Sequence, residues 1–414
     1  MSNKVVIVKG VRTPIGNFGG SLRTIPAYDL AALVLNEVVK RADMTPDQIE
    51  MVIMAQNYQS GEYVNIARMG LLKAGWPMEK PGFTIDRRCP GGLDAICFSS
   101  MMIQAGNADV MVAGGVESMS TAEFYLAGDI RWSLGGTGDM PRGHGSLSMW
   151  GIPLYDRVQR ARVQTQPQER FGILPTMMTW AESAAKEYGI KREEVDKWAL
   201  LSNQRACAAI DGGTFKEEIV PVSIPQRKGD PILFSDDERP RRDNTLETLA
   251  KLKPVLGGVC TAGNSSGEND GAAVCITMSE DKAKELKKEP MAYLKSYGFG
   301  GADPSQTWRS VPIAVNIALE KAGLTLDQID LIEIHEAFAA QVLANFKELG
   351  ITEKDYDRVN VNGSCVALGH PLGATGARIM VTLLHEMQRR DAKRGLIAIC
   401  GSGGMGVSAI VERE

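Results

Sequence analysis

The sequence predicts an α/β fold of two related halves with a loop domain inserted between them. Three observations carry this: one segment recurs within the chain, the same helix and strand patterns flank both copies, and a long intervening stretch breaks the pattern.

The recurring segment is residues 44–53 (MTPDQIEMVI), which return as residues 324–333 (LTLDQIDLIE). Ahead of each copy, apolar residues at three-and-four spacing predict a helix, over 30–41 and 311–322. The Asp-Gln-Ile turn then leads into a short apolar run of the kind that forms a buried strand. At nearly the same separation Cys89-Pro90 matches His370-Pro371, each followed by a glycine and a helical stretch. Strand-like runs ending in glycine come next, at 109–115 and 395–401. Two such halves, each on a mainly parallel buried sheet, would pack about a pseudo-twofold axis and set Cys89 and His370 on one cleft. Between them, Gly135-Gly136, Gly143-His144-Gly145 and several prolines are followed by a predicted helix over 182–210. So long an excursion is an inserted domain, suited to substrate selection or assembly. The expected divisions are 1–121 with 268–289, the insertion 122–267, and 290–414.

Composition removes several function classes. At roughly 150 residues per domain, 414 residues make two or three domains. Lysine and arginine total 46 against 50 acids, a net charge of −4, so there is no basic field for nucleic acid. No apolar run is long enough to span a membrane and the start lacks a signal-peptide pattern, so a cytoplasmic chain is expected. The 7 cysteines, an odd number without a secretory pattern, argue for free thiols. Asp236 to Arg242 mixes three acids and three arginines around Pro240, and reads as a solvated loop ahead of a charged-ligand site.

Chemistry concentrates in a few motifs. In residues 86–95 (DRRCPGGLDA), Cys89 stands just before a predicted helix, where unpaired amides and the helix dipole favour a thiolate. Pro90 suits the helix start because its missing donor costs nothing there. Of only 4 histidines, His335 (HEAFAAQ) and His370 (GSCVALGHPLGATG) each follow an apolar run read as a strand, where α/β folds gather ligand sites. Cys400 lies at a strand end in the glycine-rich turn ICGSGGMG, whose amides could line an oxyanion. His144 and His385 read as incidental, and Cys97, Cys207, Cys260, Cys275 and Cys365 as packing residues. No cysteine and histidine spacing of the usual metal-site kind occurs, so no metal is expected.

With residues 11–22 (VRTPIGNFGGSL), 114–120 (GGVESMS) and 261–267 (TAGNSSG), these motifs resemble the thiolase family in order and over nearly the whole chain. The resemblance implies a duplicated αβαβα core with an inserted loop domain. It also implies reversible Claisen condensation and thiolysis of coenzyme A thioesters, with coenzyme A as substrate and no metal or organic prosthetic group. Cys89 would carry the acyl group, His370 take its proton and Cys400 act as acid or base, with His370 and His335 facing the enolate oxygen. The amides of Cys89 and Ser402 would form a second oxyanion hole. Ser266 and Gly267 would bind pantetheine, Ala337 and Phe338 would line the acyl channel, and the assembly would be a homodimer or homotetramer. His335 replaces a common asparagine, Pro90-Gly91 a common Gly-Ser, and Ser402 a frequent glycine, which questions the backbone angle there. Trp180 and the adjacent methionines either narrow the acyl pocket or line a longer one. Two rivals remain. A decarboxylating ketoacyl synthase would use Cys89, His335 and His370 but not Cys400, and a catalytically silent acyl-CoA-binding protein would use none of them.

Overall fold

The computed structural model describes residues 4–128, 153–174 and 176–414; Gly135-Gly136 and Gly143-His144-Gly145 lie outside them. The first half supplies β1 (Val5–Arg12), β2 (Gly16–Asn17), β3 (Met51–Ala55), β4 (Gly82–Ile85) and β5 (Val110–Ser118). The insertion contributes two antiparallel strand pairs, β6 (Phe124–Leu126) with β7 (Leu154–Asp156) and β8 (Val222–Ile224) with β9 (Ile232–Phe234). The chain then returns through β10 (Asn269–Ser279) to β11 (Ala292–Gly301), β12 (Leu331–Ile334), β13 (Arg394–Gly401) and β14 (Met405–Glu412).

Ten strands join in the order β12, β13, β14, β11, β1, β10, β5, β3, β4, with β2 beside β10. The sheet duplicates itself. β3 runs parallel to β5 as β12 does to β13, while β5, β10 and β1 alternate in direction as β13, β14 and β11 do. The halves meet where β1 pairs with β11 at Val6–Tyr293 and Ile7–Ala292. Antiparallel pairs therefore predominate, correcting the mainly parallel expectation. The turn after β13 is too short for a crossover, so β14 can only fold back antiparallel.

Side chains alternate across these strands and separate the core into layers. Helices Ala27–Arg41 and Ile66–Lys73 cover one face of the first half. Helices Gly91–Gln104 and Leu372–Arg390 lie between the halves, packed on Ile53 and Met111 on one side and Ile397 and Val407 on the other. Helices Ser310–Ala322 and Ala339–Leu349 close the far face. The central pair cross in tight contact: a Cβ on Gly92 would lie 2.8 Å from the Ala377 amide, and one on Gly376 2.3 Å from the Leu93 amide. Both copies of the repeat fold alike, each turn closed by a backbone amide donating to the glutamine side chain, Thr45 to Gln48 and Thr325 to Gln328, at 2.9 Å.

The insertion departs from expectation twice. The helix foreseen over 182–210 is two helices, Met178–Tyr188 and Arg192–Asp211, because Gly189 takes a left-handed φ of 62° and ends the first. The mixed-charge segment from Asp236 is solvated only at its ends, where Asp236, Arg241 and Arg242 are exposed. Asp237 is buried and receives both terminal nitrogens of Arg12 at 2.7 and 2.9 Å, while Arg12 Nε donates to Glu218 at 2.6 Å. Arg239 donates to the carbonyls of Ser265 and Val366, so these charges fasten the insertion to the core. Among the described residues no helix is long and apolar enough to cross a membrane.

Replacing Arg12 with methionine strands two buried carboxylates. The expected loss is about 3–5 kcal/mol, read as a lower midpoint in chemical denaturation.

Candidate active site

Cys89 sits between β4 and the helix Gly91–Gln104. Arg88 before it adopts φ 58°, a left-handed angle uncommon outside glycine, and turns the chain sharply into the helix. His370 stands at the matching start of Leu372–Arg390. It follows the single-turn helix Cys365–Leu368 rather than the strand the sequence suggested, because residues 365–368 close a helical turn instead of extending. Its amide donates to Asn269 Oδ1 at 2.8 Å, tying the loop to β10. Across the cleft, His370 Nε2 lies 3.2 Å from Cys89 Sγ.

The hydrogen bonds decide the tautomer of His370. Its Nδ1 is 2.7 Å from Thr375 Oγ1, whose own proton goes to the Pro371 carbonyl at 3.1 Å. With that proton spent, the hydroxyl can only accept. The imidazole therefore donates from Nδ1 and turns its Nε2 lone pair to the thiol, as a general base requires. Burial, with the charge of Arg378, pushes His370 down to about 3, so the ring is neutral with its lone pair free, and burial weakens it as a base. Burial also pushes the Cys89 thiol up to about 12, against the pull of Arg88 and of the Cys89 and Ser402 amides. Desolvation thus outweighs the helix terminus, and the expected thiolate gives way to a neutral thiol beside a neutral base. Cys400, at the end of β13, is a buried thiol that burial first, then the neighbouring Cys89, also holds well above its ordinary range.

Cys89, His370, Cys400 and Ser402 line one cavity of about 160 Å³, together with Ser266, Gly267, Ala337 and Phe338. Every residue singled out from the sequence is on that wall except His335. The His335 ring is fully buried, 4.3 Å centroid to centroid from the His370 ring. The loop before β10 is held to the HEAF segment by the Ser266 amide donating to the Ala337 carbonyl at 2.9 Å. Phe338 packs edge-on against Trp180 at 5.2 Å, and Met177 and Met178 complete that side. Ser402 carries no left-handed angle; Gly403 and Gly404, at φ 87° and 78°, make the turn, so serine fits. Tyr58, Met119 and Leu372 also line the wall; Met119 and Leu372 lie inside the quoted motifs GGVESMS and GSCVALGHPLGATG without having been singled out, and Tyr58 carries no pattern that marks it. Sequence reasoning also missed Cys365. This thiol is not packing alone, since its sulfur is 2.8 Å from Arg378 Nη2 and 3.2 Å from His335 Nδ1. All seven cysteines are free, and His385 only contacts the Gly10 carbonyl. Among the described residues, Cys89, His335 and His370 form the one group whose ligand atoms converge enough for a metal ion, within 4.8 Å.

Residues 5–281 match the family described as Thiolase, N-terminal domain, and residues 288–413 match Thiolase, C-terminal domain. The chain is 45% identical over 413 residues to an acetyl-CoA acetyltransferase of Cupriavidus necator, covering 99% of each. It is 41% identical over 412 residues to a probable acetyl-CoA acyltransferase of Staphylococcus aureus, again covering 99% of each. The crystal structure of the Bacillus anthracis acetyl-CoA acetyltransferase superposes with a TM-score of 0.90 at 42% identity, covering 99% of this chain and 100% of that one. Human mitochondrial 3-ketoacyl-CoA thiolase gives 0.89 at 35%, covering 99% of both.

Replacing Thr375 with valine removes the acceptor for His370 Nδ1–H and frees the wrong tautomer. Alkylation of Cys89 by iodoacetamide should slow by about tenfold or more, followed by mass spectrometry of the Cys89 peptide.

Proposed function

The chain belongs to the thiolase family, and on that premise we propose how its own residues carry the reversible Claisen condensation and thiolytic cleavage of 3-ketoacyl-CoA and acetyl-CoA. The observation that supports the reading most is the 3.2 Å approach of Cys89 Sγ to His370 Nε2, with Cys400 on the wall of the same cavity.

In cleavage, His370 Nε2 takes the Cys89 proton and the sulfur bonds to C3 of the 3-ketoacyl-CoA. The charge on the former carbonyl oxygen rests on the amides of Cys89 and Ser402, donors whose single loss in such sites costs about 3 to 4 kcal/mol. When that carbonyl re-forms, the C2–C3 bond breaks and its electron pair passes to C2 as the enolate of acetyl-CoA. His335 and the newly protonated Nε2 of His370 donate to the enolate oxygen, and Cys400 protonates C2. Acetyl-CoA leaves behind an acyl group on Cys89. An incoming coenzyme A thiol gives its proton to Cys400 and attacks the acyl carbon, and Cys89 recovers its proton from His370. Condensation runs the same steps backwards, with Cys400 removing a proton from the acetyl methyl.

Ser266 and Gly267 hold the pantetheine arm in this reading, and Ala337 and Phe338 border the acyl group. The folding units are 1–121 with 268–289, 122–267 and 290–414, assembled as a homodimer or homotetramer in the cytoplasm. Two thiols and two imidazoles supply every proton transfer, so the reaction calls for no metal or prosthetic group, and coenzyme A serves as substrate. A decarboxylating synthase would make its carbanion by losing carbon dioxide and would leave Cys400 without a task. Turnover of acetyl-CoA without malonyl-CoA separates the two.

After mixing with acetoacetyl-CoA, a denaturation-resistant acyl adduct is expected on Cys89 and absent in Cys89→Ala; reversible binding without an adduct would point to the silent protein. Cys400→Ala should lose condensation by about 100-fold or more, while acetyl exchange between acetyl-CoA and coenzyme A, which can enter and leave as its thiolate, falls much less; equal loss of both steps would break the assigned roles. Exhaustive dialysis against a chelator should leave turnover unchanged, measured as thioester absorbance.

A further inference from the structure

We propose that Cys365 is a positioning residue that sets the ring tautomer of His335, so that His335 offers an N–H rather than a lone pair to the thioester oxygen of the substrate. The proposal rests on the acyl-transfer reading above and assigns a task to a thiol that the reading leaves idle.

The argument is an inventory of donors. Cys365 opens the single-turn helix five residues before His370, and its sulfur is fully buried. Arg378 Nη2 approaches it at 2.8 Å, and a guanidinium can only donate. The Ser364 hydroxyl donates to it from 4.0 Å, and the Glu336 backbone amide points at it as well. The remaining polar contact is His335 Nδ1, at 3.2 Å. Of the two close contacts of the sulfur, Arg378 and His335, that nitrogen is the one able to accept, and the Ser364 hydroxyl is farther away at 4.0 Å, so the thiol proton lies toward His335. Burial first, then the electrostatic cost of a second cation beside His370 and the charge of Arg378, hold His335 far below its ordinary range, so the ring is neutral and carries one N–H. With Nδ1 accepting, that proton is on Nε2.

A second observation points to a ligand. His335 Nε2 is buried and has no partner among the described residues, an arrangement that costs about 1–3 kcal/mol unless something arrives to satisfy it. The adjacent His370 ring has the opposite arrangement, donating from Nδ1 to Thr375 and keeping its lone pair on Nε2. Two neutral imidazoles 4.3 Å apart are thereby made unlike by what stands behind them: a hydroxyl that must accept makes one a base, and a thiol that must donate makes the other an oxyanion donor. Serine at position 365 could donate in the same way; alanine could not.

The test compares the full-length wild type with Cys365→Ser and Cys365→Ala in three measurements. Nitrogen-15 NMR of histidine-labelled protein reads the His335 tautomer, and with 4 histidines in the chain a His335→Asn variant identifies the signals. Loss of methyl protons from acetyl-CoA in deuterium oxide reads enolate formation. Exchange of label between coenzyme A and acetyl-CoA reads acyl transfer through Cys89 alone. Wild type and Cys365→Ser should show His335 protonated on Nε2 and exchange methyl protons within a few-fold of each other. Cys365→Ala should lose the single tautomer and about 100-fold of the methyl exchange while keeping the label exchange. The proposal is overturned if wild-type His335 carries its proton on Nδ1. It is also overturned if serine costs as much as alanine, which would mark a thiolate role, or if alanine leaves methyl exchange intact. Should the alanine variant fail to fold, the wild-type tautomer and the serine variant still decide. Absence of label exchange in the wild type would sink the acyl-transfer reading instead and leave the tautomer measurement standing.

Discussion

The close crossing of the two central helices is the constraint on which the site depends. Cys89 and His370 each stand at the start of one of these helices, and the helices touch through Gly92 and Gly376 with no room for a Cβ. Interiors pack at crystal density, so a crossing this tight admits little sliding. The distance between Cys89 and His370 is therefore set by backbone contact, and the loops at the rim of the cavity need not hold it. Asn269 and Thr375 then aim His370 within that frame.

Desolvation is the second influence, and it works against the simplest sequence argument. A helix start stabilises an anion by a modest amount, whereas burial disfavours charge on every group in the cluster. Cys89 and Cys400 are held as thiols, and His335 and His370 as neutral rings. Such a site keeps its protons in place until substrate arrives. In the proposed reaction the charge that appears on oxygen would meet donors already in position.

Much of this was legible in the sequence because duplication leaves a strong signal. The repeat at Asp47 and Asp327 located both halves, and the pairing of Cys89-Pro90 with His370-Pro371 put the reacting groups on one cleft before any coordinates. Strand direction was not legible: short apolar runs look alike whether parallel or antiparallel, and only the tight turn at 402–404 decides β14. The mixed-charge segment misled because composition does not reveal that Arg12, far away in sequence, neutralises Asp237. Cys365 was passed over for a related reason. A buried cysteine usually packs, and nothing local in GSCVALGHP indicates that Arg378 and His335 converge on its sulfur. The pKa directions were likewise invisible, since they depend on how much water the fold removes.

The two capped turns at Thr45 and Thr325 keep the same hydrogen bond in both copies, while the positions facing each other at the cleft hold unlike residues. Two identical groups related by a symmetry axis bind a proton equally well, so neither can drive it to the other. Directionality enters only when one copy becomes a sulfur acid and the other a nitrogen base. A perfectly symmetric pair could not divide the labour in this way, and the matching caps show how little of the scaffold differs between the halves that do.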